Sequence, residues 1–210
     1  MHPKKLPVRR VAVMVLGILI MGLGVALFKL SLMGNDPNSA MVMAAADRLG
    51  VDFSVALIVE NSVVFIAELL LGRKYIGLGT FVNWFGVGPL TTLYLGLIHA
   101  CWQVPQTILA RLMLMMAGVL VLSLSASLYQ TANLGIAPYD AVSIIMEERL
   151  PLPYFWCRIL TDSVCAAAAL LLGGIVGLGT LVCALGLGPF IAFFNRHISQ
   201  KLCGGTTIKE

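Results

Sequence analysis

Long apolar stretches separated by short polar breaks run through the whole chain. Six of them approach the roughly 20 mostly apolar residues that a helix needs to cross a bilayer. They cover about 11–33, 53–72, 76–98, 111–133, 154–173 and 176–195. Charged residues make up only 11% of the chain and the mean hydropathy is +0.94, whereas a soluble domain carries about 25% charged residues. The pattern predicts an all-α polytopic membrane protein with six transmembrane helices.

Two further segments have a helical pattern but are too short to cross the bilayer. They cover 37–49 and 138–149, and each begins with a proline, which favours the first position of a helix. Asp36 is placed to cap the first segment, and Asp140 lies in the first turn of the second, where the helix dipole favours a carboxylate. We expect both segments to be re-entrant or interfacial helices.

The chain repeats itself. IGLGTFVNWFGVGPL at 76–90 recurs as VGLGTLVCALGLGPF at 176–190, an offset of 100, and MGNDPNSA at 33–40 matches LGIAPYDA at 134–141, an offset of 101. Each repeat would contain a span, a short helix and two more spans. Because three crossings is an odd number, the sequence predicts two inverted repeats of three spans each. The predicted organisation is a cytoplasmic basic N-terminus (1–10), membrane repeat 1 (11–98), an external linker (99–110), membrane repeat 2 (111–195) and a cytoplasmic tail (196–210).

A competing arrangement makes both short helices full spans, giving eight crossings and parallel repeats. Counts of Lys and Arg do not separate the two arrangements. We favour six spans because the short helices are too short, and because Arg73 and Lys74 follow the second span whereas Gly173 and Gly174 follow the fifth. The positive-inside rule predicts that contrast for a cytoplasmic and an external connection. Both arrangements place the two termini in the cytoplasm.

The recurring glycines of 76–90 and 176–190 have two interpretations. They could mark a flexible or broken helix beside a substrate, with Pro89 and Pro189 as kinks. They could instead allow close packing between helices, which is ordinary in membranes and which we favour.

Two elements carry a family resemblance. They are the glycine-rich segment that leads into a proline-containing short helix (GLGVALFKLSLMGNDPNSA at 22–40, YQTANLGIAPYDA at 129–141) and the GLGT…GxGP element of both halves. In these the chain resembles bacterial integral membrane proteins of the YczE/YyaS/YitT type, and its short polar tail is similar to the short YczE-like branch. The resemblance implies a multi-span inner-membrane protein of a family in which some members are associated with secondary-metabolite production.

Polar residues inside spans are costly, so they are candidates for function. The repeat places Asn61 over Asp162, and the short helices aim their N-terminal ends at the space between the halves. The candidate substrate-binding residues are Asn61, Asp162, Asp36, Asn38, Ser39, Tyr139 and Asp140. The candidate intramembrane charge pairs are Arg158 with Asp162, four residues apart on one helix, and Lys29 with Glu60 at similar depth. The alternative is that these residues only hold helices together.

No catalytic, phosphate-binding or metal-binding motif is recognisable, so we expect no enzyme, no cofactor and no metal site. The net charge of +4 reflects basic residues beside apolar runs and does not suggest nucleic acid. Two functions survive: a transporter of a small solute or ion, or a membrane subunit of one, and a non-transporting accessory or scaffold protein for a cytoplasmic enzyme system. The expected partners are the lipid bilayer and an unknown solute or ion, with a homo-oligomer or a cytoplasmic partner left open.

Overall fold

A computed structural model describes residues 8–101 and 106–203, which are helical throughout apart from their connections. The helices are α1 (Val8–Ser31), α2 (Pro37–Leu49), α3 (Phe53–Leu71), α4 (Leu78–Cys101), α5 (Ile108–Ala132), α6 (Pro138–Arg149), α7 (Tyr154–Leu171) and α8 (Leu178–Phe194). A π-helical turn, Asn195–Ser199, continues α8 into Gln200–Leu202. Six of these helices are long and apolar enough to cross a membrane, and α2 and α6 are not among them. The predicted all-α fold with six spans and two short helices is confirmed.

The centre of the bundle is the contact between α1 and α5. Small residues bring the two backbones together: a Cβ atom added at Gly17 would lie 2.8 Å from the Tyr129 nitrogen, and one at Gly24 would lie 3.1 Å from the Leu122 nitrogen. On either side of this pair, α4 packs on α1 and α8 packs on α5. Glycine at helix contacts is a common way to let membrane helices approach closely.

The two short helices begin in the protein interior and end at its surface. Pro37 and Pro138 are fully buried, whereas the ends of both helices, from Asp47 and from Glu147 onward, are exposed. Asp36 caps α2 by accepting a hydrogen bond from the Ser39 amide at 3.0 Å. Each short helix packs on the second span of both repeats, α3 and α7.

Four of the recurring glycines, Gly77, Gly79, Gly177 and Gly179, form close contacts between the repeats. In one direction Gly179 donates its amide hydrogen to the Met33 carbonyl oxygen at 2.8 Å, and in the other Gly79 donates to that of Leu134 at 2.7 Å. A Cβ at Gly177 would lie 2.5 Å from the Met33 oxygen, and one at Gly77 would lie even closer to that of Leu134. Because α4 and α8 run on through Pro89 and Pro189, these helices are not broken, and the packing interpretation holds for these four glycines.

The predicted terminal segments and linker fall partly outside the described residues, which omit 1–7, 102–105 and 204–210. Within the described part, helix extends beyond the predicted start of the tail, to Leu202. The Arg9 guanidinium, near the start of α1, donates a hydrogen bond to the Leu202 carbonyl oxygen at 2.6 Å. The first and last described helical turns therefore lie at the same face of the bundle.

Candidate functional site: a central cavity between the repeats

A cavity of about 380 Å³ lies at the centre of the bundle, bordered by both repeats. Much of its lining consists of pairs of residues, one from each repeat, that occupy equivalent positions in the two repeats. These pairs are Met21 and Leu122, Val25 and Ala126, Asp36 and Ala137, Asn38 and Tyr139, Ser39 and Asp140, Leu57 and Arg158, Asn61 and Asp162, Asn83 and Cys183, and Val87 and Leu187. The cavity therefore lies where equivalent parts of the two halves face each other.

All the candidate substrate-binding residues named from the sequence line this cavity: Asp36, Asn38, Ser39, Asn61, Tyr139, Asp140 and Asp162. They come from the starts of the two short helices and from α3 and α7. Asn61 and Asp162 lie at matched depth, and the N-termini of α2 and α6 point inward. These two features bring the candidate residues together. Both Asn61 and Asp162 are buried, with 5% and 3% of their surfaces exposed.

Repeat 2 places an ion-pair network in the cavity wall. The Arg158 guanidinium lies 2.7 Å from the Asp140 carboxylate and 3.2 Å from that of Asp162. The predicted Arg158–Asp162 pair on one helix is therefore present, and Asp140 from α6 is a further partner. Since Arg158 is three-quarters buried, with 24% of its side chain exposed, it needs such carboxylates to offset the loss of water.

Two tyrosines complete the network. The Tyr139 hydroxyl donates a hydrogen bond to Asp162 at 2.6 Å, and the Arg158 guanidinium lies 4.9 Å from the centre of the Tyr139 ring. The Tyr129 hydroxyl donates to Asp140. Burial raises the pKa of the Tyr139 hydroxyl well above its ordinary value, so it keeps its proton and remains a donor. The carboxylates of Asp140 and Asp162 in repeat 2 therefore both have hydrogen-bond donors.

Repeat 1 presents polar atoms without partners. One oxygen of Asp36, Oδ1, accepts the Ser39 cap, whereas the other, Oδ2, is buried and has no hydrogen-bond partner among the residues that the structure describes. The Oδ1 atom of Asn38, a residue 8% exposed, is likewise unpartnered. Burial raises the pKa of the Asp36 carboxyl group, and the Ser39 hydrogen bond opposes that rise. Asn61, by contrast, donates to the Leu57 carbonyl oxygen at 3.0 Å.

The predicted pair of Lys29 with Glu60 is not among the ion pairs of the described residues. Lys29 is exposed and borders a smaller cavity near Asp47. Glu60 instead has the Asn38 side chain within hydrogen-bonding reach. The physical reason is lateral position, because α1 packs on α4 and α5 whereas α3 packs on α2, α4 and α6.

The cavity extends further on one side than on the other. Residues of repeat 2 line this extension, and none of their repeat-1 equivalents lines the cavity. They are Gln130, Tyr154, Phe155, Ala184, Leu185, Gly188, Ile191, Ala192 and Asn195. On the repeat-1 side, a Cβ at Gly88 would lie 2.9 Å from Ser54, whereas one at Gly188 would meet no atom of the described residues within 4 Å. Thus α3 and α4 are closed against each other where α7 and α8 leave a gap.

Trp84 stabilises the closed contact between α3 and α4. Its ring nitrogen donates to the Ile58 carbonyl oxygen at 3.0 Å and joins α4 to α3. Its ring also packs against those of Phe65, Phe81 and Phe85. The repeat-2 equivalent of Trp84 is Ala184, which faces the gap. The sequence analysis did not select these residues, and the replacement of Trp by Ala at one repeat position is the signal that could have identified them.

The described residues contain no group of three or more His, Cys, Asp and Glu side chains that could hold a metal ion. The charged lining consists of three aspartates and Arg158, and the rest is apolar or neutral polar. Chemically, the cavity can bind a small solute through hydrogen bonds, charge and apolar contact.

Comparison with known proteins agrees with the predicted resemblance. The chain is 26% identical over 192 residues to an uncharacterized protein of Haemophilus influenzae, covering 91% of this chain and 86% of that protein. It is 24% identical over 190 residues to the uncharacterized protein YyaS of Bacillus subtilis (89% and 94% covered) and 21% identical over 187 residues to the uncharacterized membrane protein YczE of the same organism (89% and 85% covered). No solved structure matches the chain.

Six apolar helices and a relative described as a membrane protein identify the chain as an integral membrane protein. The family described as "Family of unknown function (DUF6198)" matches residues 8–196, nearly all of the residues that the structure describes. The protein belongs to the DUF6198 family.

Proposed function

We propose that this protein is a transporter of a small solute or ion, or the membrane subunit of one, with its binding site in the central cavity. The observation that carries the proposal is the lining of that cavity by equivalent residues from both repeats, such as Asn61 with Asp162. Transporters built from inverted repeats bind their substrates at the repeat interface, near the ends of short or discontinuous helices. Here α2 and α6 begin at the cavity in the same way.

The reciprocal contacts between the halves support an inverted arrangement. Met33 contacts Gly179 as Leu134 contacts Gly79, which is the relationship expected of two halves exchanged by a twofold axis. An odd number of spans in each half requires that axis to lie in the membrane plane. We further propose that the connection after α3 and both chain termini lie in the cytoplasm of a bacterial cell, because Arg73 and Lys74 favour that side of the membrane.

The one-sided gap supports alternating access. In such a mechanism one half opens while its counterpart stays closed, and the two exchange roles around a fixed site. In this protein the gap between α7 and α8 corresponds to the open half, and the contact of Gly88 with Ser54 corresponds to the closed half. A rocking motion of the two halves would then close the gap at Gly188 and open the contact at Gly88.

Proteoliposomes test this proposal. Vesicles containing the protein would be incubated with a defined mixture of amines, amino acids, sugars, nucleosides and organic acids, and their contents measured by mass spectrometry. We expect at least one solute to accumulate above the level in protein-free vesicles. The Ala184→Trp variant copies Trp84 into the gap and should abolish that accumulation. Gly96→Trp is the matched control, because a Cβ added at Gly96 would meet no atom within 4 Å in the described part of the chain.

A result in which no solute accumulates, or in which Ala184→Trp transports as the wild-type protein does, would contradict the proposal. A labelling experiment tests the orientation separately. A cysteine at position 73 should react with a membrane-impermeant maleimide only after cells are opened, and a cysteine at position 173 should react in intact cells. Both variants would be made without the native Cys101, which is exposed.

A further inference from the structure

The charged groups of the cavity are unevenly balanced. Asp140 and Asp162 both face Arg158, which lies 2.7 and 3.2 Å from them. Asp36 also lines the cavity, and it takes part in none of the ion pairs of the described residues. Three carboxyl groups therefore share one guanidinium group. A buried carboxylate without a cation is costly, so a site of this kind favours a positively charged occupant.

The unpartnered atoms on the repeat-1 side are hydrogen-bond acceptors. Asp36 Oδ2 and Asn38 Oδ1 are buried, line the same cavity and have no donor. Asn38 is more than nine-tenths buried. Buried polar atoms in native proteins almost always have partners, so these two acceptors suit a ligand that brings donors.

The remaining lining favours an organic cation over a metal ion. Apolar side chains such as Met21, Val25 and Leu187 form much of the wall. A metal ion of the calcium type needs about six to eight oxygen ligands at about 2.3–2.6 Å, and the described residues contain no group of three or more His, Cys, Asp and Glu side chains that could hold a metal ion. Tyr154 and Phe155 add aromatic rings, which bind cations through their faces.

We infer that the cavity binds a primary ammonium compound with an apolar body, whose ammonium group donates to Asp36 Oδ2 and Asn38 Oδ1. The apolar body lies against the Met21, Val25 and Leu187 side of the wall. This assignment deepens the proposed transport function by naming its class of solute. Binding itself can be measured without transport.

Binding of three probes to the protein in lipid nanodiscs at about pH 7 tests the inference. Phenethylamine carries an ammonium group, 2-phenylethanol is its neutral analogue, and phenylacetate is an anion of similar size. Calorimetric titration should show saturable binding of phenethylamine, with 2-phenylethanol binding at least about tenfold more weakly. Phenylacetate should not bind. Equal affinities for the amine and the alcohol, or no saturable amine binding up to about 10 mM, would overturn the inference.

Asp36→Asn removes the charge and retains the helix cap, because Asn caps helices as well as Asp does. It should weaken phenethylamine binding by about tenfold or more and leave 2-phenylethanol unchanged. Asp52→Asn is the control, since Asp52 is an exposed residue at the start of α3 whose side chain makes no cap. Asn38→Ala removes an acceptor that has no partner and should also weaken amine binding. Wild-type amine affinity in both cavity variants would refute the assignment.

The two proposals fail separately. If phenethylamine binds as described but no solute enters proteoliposomes, the cation site stands and the transport function does not. If another class of solute is transported and phenethylamine does not bind, transport stands and the ammonium assignment is wrong.

Discussion

The guanidinium group of Arg48, at the end of α2, donates a hydrogen bond to the carbonyl oxygen of Leu172, 3.1 Å away at the end of α7. Its repeat-2 equivalent, Arg149, donates to the carbonyl oxygen of Leu71 at 3.3 Å, and Leu71 is the equivalent of Leu172. Each short helix therefore caps the second span of the other repeat. A cation at a helix C-terminus also interacts favourably with the helix dipole.

Replacing Arg48 by Gln should lower the stability of the protein by about 0.3–1 kcal/mol, because an exposed cap of this kind contributes no more. Arg149→Gln should cost a similar amount. The two caps lie at the ends of different helices, so the double variant should show the sum of the single effects. Unfolding of the detergent-solubilised protein in denaturant measures these differences. Arg48→Lys, which keeps the charge, is the control, and an unchanged stability in both single variants would contradict the prediction.

A methyl group at Gly177 should destabilise the contact between the repeats. The added Cβ would lie 2.5 Å from the Met33 carbonyl oxygen, which belongs to backbone and cannot turn away. We expect Gly177→Ala, and likewise Gly77→Ala, to cost about 1–3 kcal/mol, as overpacking does in well-packed interiors. The thermal midpoint in detergent reports the change. Gly96→Ala should be neutral or slightly stabilising, because Ala favours helix and the site is open; equal losses at positions 96 and 177 would show that the contact is not the cause.

The ion-pair network should tolerate the loss of one carboxylate but not of both. Asp162→Asn leaves Arg158 paired with Asp140 and keeps an acceptor for Tyr139, so the protein should still fold. The double change of Asp140 and Asp162 to Asn leaves a buried guanidinium uncompensated and should cost about 3–5 kcal/mol. Denaturant unfolding of the single and double variants measures both effects, and a double variant that loses no more than the sum of the single losses would contradict the network.

The repeat itself supplies a rescue for that double variant. Repeat 1 carries Leu57, Ser39 and Asn61 where repeat 2 carries Arg158, Asp140 and Asp162. A triple variant that copies these residues into repeat 2 removes the guanidinium along with its partners. It should recover most of the lost stability, since an uncharged set leaves no buried charge to compensate. A triple variant as unstable as the double variant would show that packing, and not charge, causes the loss.

The sequence was sufficient for features that depend on position along the chain. Pro37 and Pro138 fix the starts of the short helices, since proline is favoured there and disfavoured further in. The paired depth of Asn61 and Asp162 follows from the repeat alone. The cavity lining could be predicted to the extent that it obeys these two rules.

Lateral neighbours could not be predicted in the same way. Lys29 and Glu60 share an estimated depth, but depth does not say which helices touch, and these two do not pair. Asp140 finds Arg158 across two helices, at a sequence separation of 18, where no spacing rule applies. The gap between α7 and α8 depends on the absence of one aromatic side chain, at Ala184, and that effect appears only once Trp84 is seen against α3.

The reciprocal contacts of the glycine-rich segments that recur in the two repeats determine the order in which the protein can complete its packing during synthesis. Synthesis runs from the N-terminus, so Gly77 and Gly79 leave the ribosome before Leu134, to which Gly79 binds. The contact of Met33 forms later still, because its partner Gly179 belongs to the last span, α8. Repeat 1 thus enters the membrane with two of its docking contacts missing. The first half of the chain gains its final packing only when the second half arrives, which makes the newly inserted repeat dependent on the completion of its own chain.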